Sequence, residues 1–116
     1  MILVANRILV APEHRPAFEH LFATRARRVD EMPGFIANQV LRPVSGTDAY
    51  VIQTLWESRA HFVAWTKSEA FVAGHARTNT LPKEAFTAPT TLEIHEIFQQ
   101  TNWPVPTTGD GTAAQA

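Results

Sequence analysis

The chain of 116 residues contains no cysteine. That absence excludes a disulfide framework, a CxxC redox pair, a cysteine nucleophile, an iron–sulfur cluster and thiolate-ligated haem, and leaves any zinc site to histidine and carboxylate alone. No apolar run reaches the roughly 18 residues of a membrane span. The apolar opening MILVANRILV is interrupted at Asn6 and Arg7, with no basic region before it and no small-residue cleavage site after it, so it reads as no signal peptide. Neither charge sign dominates: ten basic residues face eleven acidic ones, for a net charge of -1. The broad positive surface of a nucleic-acid binder is therefore lacking. GxGxxG, P-loop, GxSxG and HExxH patterns are absent too, which removes nucleotide, serine-hydrolase and zincin chemistry. What remains is a chain with 45% hydrophobic residues, long enough for one soluble domain, expected in the cytoplasm.

The last sixteen positions, 101–116, carry Trp103-Pro104, Val105-Pro106 and Gly109-Asp110-Gly111 with a single charge, and read as a disordered tail behind a domain of residues 1–100. Trp103 is its one bulky residue, suited to packing on the body or on a partner subunit. Within the domain, Ile2 to Val10 is aliphatic and β-branched and ends at Ala11-Pro12, as a strand would. Ile2, Val4, Asn6, Ile8 and Val10 share one face; Leu3, Ala5, Arg7 and Leu9 share the other. Phe18, Leu21, Phe22, Ala26 and Val29 recur at helical spacing, predicting a helix stopped near Pro33-Gly34. Phe35 to Val44 and Tyr50 to Trp56 form a hairpin pattern around Ser45-Gly46-Thr47-Asp48. Ser58 and Ser68 are candidate caps for two short helices or one broken one, carrying Phe62 and Trp65, then Phe71, Val72, His75 and Ala76. Thr90 to Phe98 alternates as a final strand.

The order β-α-β-β-α-β predicts an α+β, ferredoxin-like fold: an antiparallel four-stranded sheet with helices on one face. The other face then needs a cover. A homodimer joined sheet to sheet, a dimeric α/β barrel, supplies one.

Three residues stand out as a site. Asn6 is an amide amid aliphatic neighbours, and burying it without a partner costs roughly 1–3 kcal/mol; it either satisfies a nearby backbone group or awaits a ligand. His75 lies on the apolar stripe of its helix among the small residues Ala73, Gly74 and Ala76, where a flat group can approach, though a core histidine with an ordinary partner has the same pattern. Trp65 lies ten residues earlier, roughly 80° away around an unbroken helix, so a break at Lys67-Ser68 is needed to bring the two to one cavity. Alone, Trp65 reads as core. His14, His20, His61 and His95 show no ligand spacing and fall to surface or turn; Glu57 and His61 are spaced to pair across one helical turn.

Ala5-Asn6-Arg7, Met32-Pro33-Gly34-Phe35, Trp56-Glu57-Ser58, Phe62-Val63-Ala64-Trp65 and Ala73-Gly74-His75 together resemble the antibiotic biosynthesis monooxygenase superfamily, and within it the IsdG-type haem-degrading monooxygenases. Residues 39–46, Gln39-Val40-Leu41-Arg42-Pro43-Val44-Ser45-Gly46, resemble its mycobacterial-type branch. The resemblance covers almost all of residues 1–98. It implies that haem is both cofactor and substrate, with His75 as the iron's proximal ligand, Asn6 as the distal amide hydrogen-bonding to oxygen at the iron, and Trp65 as the bulk that bends the porphyrin. Phe22, Phe62, Phe71 and Gly74 would line the haem together with Arg25; Arg7, Arg25, Arg27, Arg28 and Arg77 are all available to the propionates, and spacing does not tell which of them point at the cleft. Most of the cluster from Arg25 to Arg28 equally suits a solvated helix face. The implied reaction opens the porphyrin with O2, releases iron and takes electrons from a reductase or a small-molecule reductant. Two other activities suit the same fold: cofactor-independent monooxygenation of a phenolic or quinol substrate, and haem binding without turnover.

Overall fold

The computed structural model describes residues 1–24, 28–78 and 80–102, with 28, 77 and 78 described by backbone alone. Most of the expected tail, including Trp103, lies outside them. The four expected strands form one antiparallel sheet: β1 (Ile2–Leu9), β2 (Phe35–Leu41), β3 (Ala49–Trp56) and β4 (Thr91–Glu96). They lie in the order β2-β3-β1-β4. Three α-helices accompany them, α1 (Arg15–Ala23), α2 (Arg59–Thr66) and α3 (Glu69–Thr78), so the ferredoxin-like arrangement holds with the second helical segment divided.

Register fixes what each face carries. Asn6 stands opposite Ile52 on one side and Leu92 on the other. Directly opposite residues share a face, so Ile2, Val4, Asn6 and Ile8 lie with Tyr50, Ile52, Thr54 and Trp56. Leu3, Ala5 and Arg7 turn the other way, with Val51, Gln53 and Leu55. The alternation predicted for β1 is thus the alternation found.

On the helix side the apolar residues form two clusters. Ile2, Val4, Val29, Trp56 and Phe62 make one, joined by Met32, Phe35 and Trp65. Ile8, Val10, Phe18 and Tyr50 make the other, joined by Phe22, Ile52, Leu81 and Phe86. Asn6 lies along β1 between them.

The first helix is shorter than its apolar spacing suggested. It ends at Ala23, and Val29 sits in a separate 3-10 turn, Arg28–Glu31. At the end of α1 the Thr24 hydroxyl donates to the His20 carbonyl at 2.8 Å, and the Thr24 amide donates to the same oxygen. Such side-chain bonding competes with helix continuation. Phe18 and Val29 then serve different clusters, which one straight stripe would not do.

The Pro33-Gly34 turn has its own logic. Gly34 has φ +81°, and a Cβ built there would lie 2.2 Å from Cγ of His61. The Glu57 amide donates to the Gly34 carbonyl at 2.8 Å. His61 turns not to Glu57 but to Ser58, whose Oγ lies 2.7 Å from its Nδ1. The Met-Pro-Gly-Phe and Trp-Glu-Ser segments thus meet as one packed joint.

A candidate haem site between the sheet and the broken helix

The break required between Trp65 and His75 is present at Lys67-Ser68. Lys67 ends α2, its amide donating to the Ala64 and Trp65 carbonyls. Ser68 then starts α3 by bonding in both directions: its hydroxyl donates to the Trp65 carbonyl at 2.7 Å and accepts from the Phe71 amide at 3.2 Å. A short polar side chain at this point satisfies ends of both helices.

The break lets a run of rings leave the core. Trp56 is fully buried, and its ring centroid lies 5.7 Å from that of Trp65. Trp65 meets Phe71 edge to face at 4.8 Å, and Phe71 lies 4.0 Å from the imidazole of His75 at 36°. Phe62 flanks Trp65 at 6.2 Å. Trp56, Trp65, Phe71 and His75 therefore form a continuous buttress from the floor of the fold to an exposed imidazole.

The tautomer of the neutral imidazole follows from its partner. His75 Nδ1 lies 3.0 Å from the Phe71 carbonyl oxygen. A carbonyl only accepts, so Nδ1 carries the hydrogen and the lone pair of neutral His75 is on Nε2. A bonded Nδ1–H and a free Nε2 are the donor arrangement of an axial histidine on haem iron. Among the described residues no group of three histidine, aspartate or glutamate side chains is placed to hold a metal ion.

Asn6 is half-buried in the middle of the sheet, and its Oδ1 is buried without a hydrogen-bond partner. No backbone donor reaches that oxygen among the described residues. Trp65 Nε1 is likewise buried and unpartnered, whereas the Trp56 indole donates to Thr54 at 2.8 Å. Two polar atoms without partners sit at two of the three positions singled out in the sequence. A built Cβ on Gly74 would meet nothing within 4 Å, so the helix surface beside His75 is open.

Other expected residues fall elsewhere. Arg7 lies on the face away from the helices, paired with Glu93 at 3.0 Å, so it does not serve a site built around Asn6. Strand alternation puts it there. Hydrogen bonds from His95 and then Arg7 hold the Glu93 carboxyl below its ordinary range. Arg25 and Arg27 lie outside the described residues, as do the side chains of Arg28 and Arg77. Phe22 packs in the cluster of Phe18 and Tyr50, 5.0 Å from Phe18.

A clasp of three residues had no signal in the sequence. Arg42 holds Glu19 through two bonds of 2.8 and 2.6 Å, and the Tyr50 hydroxyl donates to the same carboxylate at 2.5 Å. These bonds, Arg42 first and Tyr50 second, bring Glu19 from 4.5 down to about 2. Burial first, then the bond to Glu19, raises Tyr50. The clasp ties α1 to β3 and to the end of β2 beside a cavity of about 450 Å³.

A four-stranded antiparallel sheet with a histidine presented from a broken helix defines an α+β monooxygenase-type scaffold, and residues 1–77 match the antibiotic biosynthesis monooxygenase family. The chain belongs to that family. It is 41% identical over 75 residues to a heme oxygenase (mycobilin-producing) of Mycobacterium tuberculosis, covering 65% of this chain and 70% of the relative. A heme-degrading monooxygenase of Shouchella clausii is 33% identical over 84 residues, covering 71% and 78%. The solved structure of MhuD, a heme-degrader from Mycobacterium tuberculosis with two hemes bound in its active site, superposes with a TM-score of 0.73 at 34% identity, covering 87% of this chain and 99% of that one.

Proposed function

We propose that this protein is a haem-degrading monooxygenase, taking haem as cofactor and substrate, opening the porphyrin with O2 and releasing iron. Its electrons come from an external reductase or small-molecule reductant, and it works as a cytoplasmic homodimer. The observation that carries the proposal is the state of His75: exposed, stacked on Phe71, its Nδ1–H held by the Phe71 carbonyl and its Nε2 free. The names of the relatives, heme oxygenase and heme-degrading monooxygenase, point the same way.

Haem, when bound, supplies the iron that activates dioxygen and the ring that is oxidised. His75 would hold the metal through Nε2, with the Nδ1–H bond to the Phe71 carbonyl orienting the ring. Asn6 would offer its side-chain NH2 to bound ligand, where a positioned hydrogen-bond donor steadies developing negative charge. Trp65, braced by Trp56 and Phe62, would give the haem a rigid apolar contact. Phe22, Phe62, Phe71 and Gly74 supply the apolar or open surroundings, and Arg25 a cation for a propionate. The homodimer is supported by the sheet itself: the helices pack on the face of Ile2, Val4 and Ile8, which leaves the face of Leu3, Gln39, Gln53 and Leu41 for a second sheet.

The test is titration of the apoprotein with hemin, followed by ascorbate under air. A saturable Soret band that decays with iron release is expected. Binding without decay would show a haem-binding protein, and no specific Soret change would leave phenol or quinol oxidation as the activity.

A further inference from the structure

Opposite Asn6, the site continues onto β4, whose side chains on this face are exposed among the described residues. Leu92 stands directly across from Asn6, and Ile94 across from Val4, both on the helix side of the sheet. Val4 is 3% exposed, yet Leu92 is 57% and Ile94 37% exposed. On one face of one sheet, the apolar floor is roofed over β1 and open over β4. Leu92 and Ile94 share this face with Glu96, which stands across from Ile2 at the strand's end, while Thr91, Glu93 and His95 face the other way. The part of the face beside Asn6 and Val4 is therefore apolar and exposed.

We infer that Leu92 and Ile94 are ligand-contact residues, the floor on which the apolar edge of the porphyrin rests beyond Asn6, and that Leu92 fixes how far the ring slides over that amide. This rests on the haem proposal above. Cross-strand neighbours stand about 5 Å apart at Cβ, and adjacent strands about 4.8 Å. A flat ring wide enough to span more than one strand, held against Asn6, therefore also covers Leu92. The position of Asn6 supports this occupant: its side chain, whose Oδ1 is buried without a partner, shares a row with Leu92 and Ile52, so the polar and apolar parts of one ligand would be met side by side.

The test uses the full chain. Hemin titrations compare the unaltered protein with Leu92→Asp, Ile94→Asp and, as a control, Val44→Asp in the exposed loop after β2. A charge on the floor is expected to weaken hemin binding at least about tenfold at either β4 position, and Val44→Asp to leave it within about twofold. Because the chain has no cysteine, a single Leu92→Cys substitution also gives a clean alkylation probe. Manganese protoporphyrin, whose hard metal favours oxygen ligands over thiolate, is expected to slow its alkylation severalfold, with none of this at Val44→Cys. Leu92→Phe is expected to keep affinity within about threefold while shifting the proportions of ring-opened isomers, which loss of fold would not do. If the unaltered protein binds hemin and Leu92→Asp binds it equally well, the floor is refuted and the haem proposal stands. If the unaltered protein binds none, the haem proposal falls and takes the floor with it. Alkylation at Leu92→Cys that slows with protein concentration instead of with porphyrin would assign the patch to a second copy of the chain and overturn the inference.

Discussion

Asn6→Val separates a structural amide from a functional one, because the two roles predict opposite changes in stability. Asn6 lies between Val4 and Ile8 along β1 and beside Ile52 and Leu92 across it. Its Oδ1 is buried with no partner, a state that costs roughly 1–3 kcal/mol. Valine removes the orphan acceptor, suits a strand, and fits a half-buried position without crowding a closed core. The apoprotein should therefore gain about 1–3 kcal/mol, which for a domain of roughly this size raises Tm by about 4–8 °C per kcal/mol. Degradation should fall about 10²–10³-fold, the usual loss when one positioned donor is removed, with hemin affinity nearly unchanged. Asn38, whose Oδ1 is also buried and unpartnered, supplies the control: it stands two strands from Asn6, so Asn38→Val should stabilise comparably and leave the rate intact. The assays are apoprotein melting by circular dichroism, hemin titration and the decay of the Soret band with ascorbate. A lower Tm for Asn6→Val would show that the amide is satisfied within the fold, and the argument for its functional role would fail.

Three further outcomes follow from the same structure. His75→Ala should abolish the axial-ligand signature of the Soret band, and Phe71→Ala should weaken hemin binding to a lesser degree; the titration used above measures both, and an unchanged Soret in His75→Ala would move the ligand elsewhere. Gly34→Ala should cost about 2–4 kcal/mol in urea denaturation, from roughly 1–2 kcal/mol for the left-handed backbone plus displacement of His61 and its bond to Ser58; because the His61 Cβ itself would lie 2.5 Å from the new methyl, the cost of Gly34→Ala should be smaller in a His61→Gly background than in the unaltered protein, and an equal cost in both would show that the His61 contact is not the cause. Glu19 titrates near 4.5 when unfolded and at about 2 when folded, so its stabilising contribution is complete above pH 4.5 and is lost as pH falls through 2. The stability of the unaltered protein should therefore decline more steeply between those values than that of Glu19→Gln, and parallel profiles would refute the clasp.

What the sequence disclosed follows the precision of each pattern. A strand alternates with a period of two, so Asn6 could be placed on the helix side from its neighbours alone, and Arg7 necessarily on the other. Arg7, one of five arginines available to a propionate, follows that alternation to the far face and pairs there with Glu93. Helix ends follow looser rules. The apolar spacing through Val29 said nothing of the Thr24 hydroxyl that ends α1, because that competition is a single local bond rather than a period. The break at Ser68 was legible for the converse reason: a serine three residues before Phe71, following a turn that could not otherwise face both Trp65 and His75 inward, names its own capping role.

The clasp and the open floor were invisible for different reasons. Glu19, Arg42 and Tyr50 come from three elements, and no spacing along a chain encodes their meeting. Leu92 and Ile94 were placed on one face by alternation, but which face of β4 lies uncovered depends on where the helices come to rest. That depends in turn on the break. α2 packs through Phe62 and Trp65 against Trp56, α3 starts afresh at Ser68, and Leu92 on the same side of the sheet stays exposed. A link between the break that presents His75 and the exposure of Leu92 is testable. If the two are linked in this way, Ser68→Ala should disturb the Phe71 and His75 arrangement and the accessibility of Leu92 together. Reduced hemin affinity with unchanged alkylation at Leu92→Cys in that background would uncouple them.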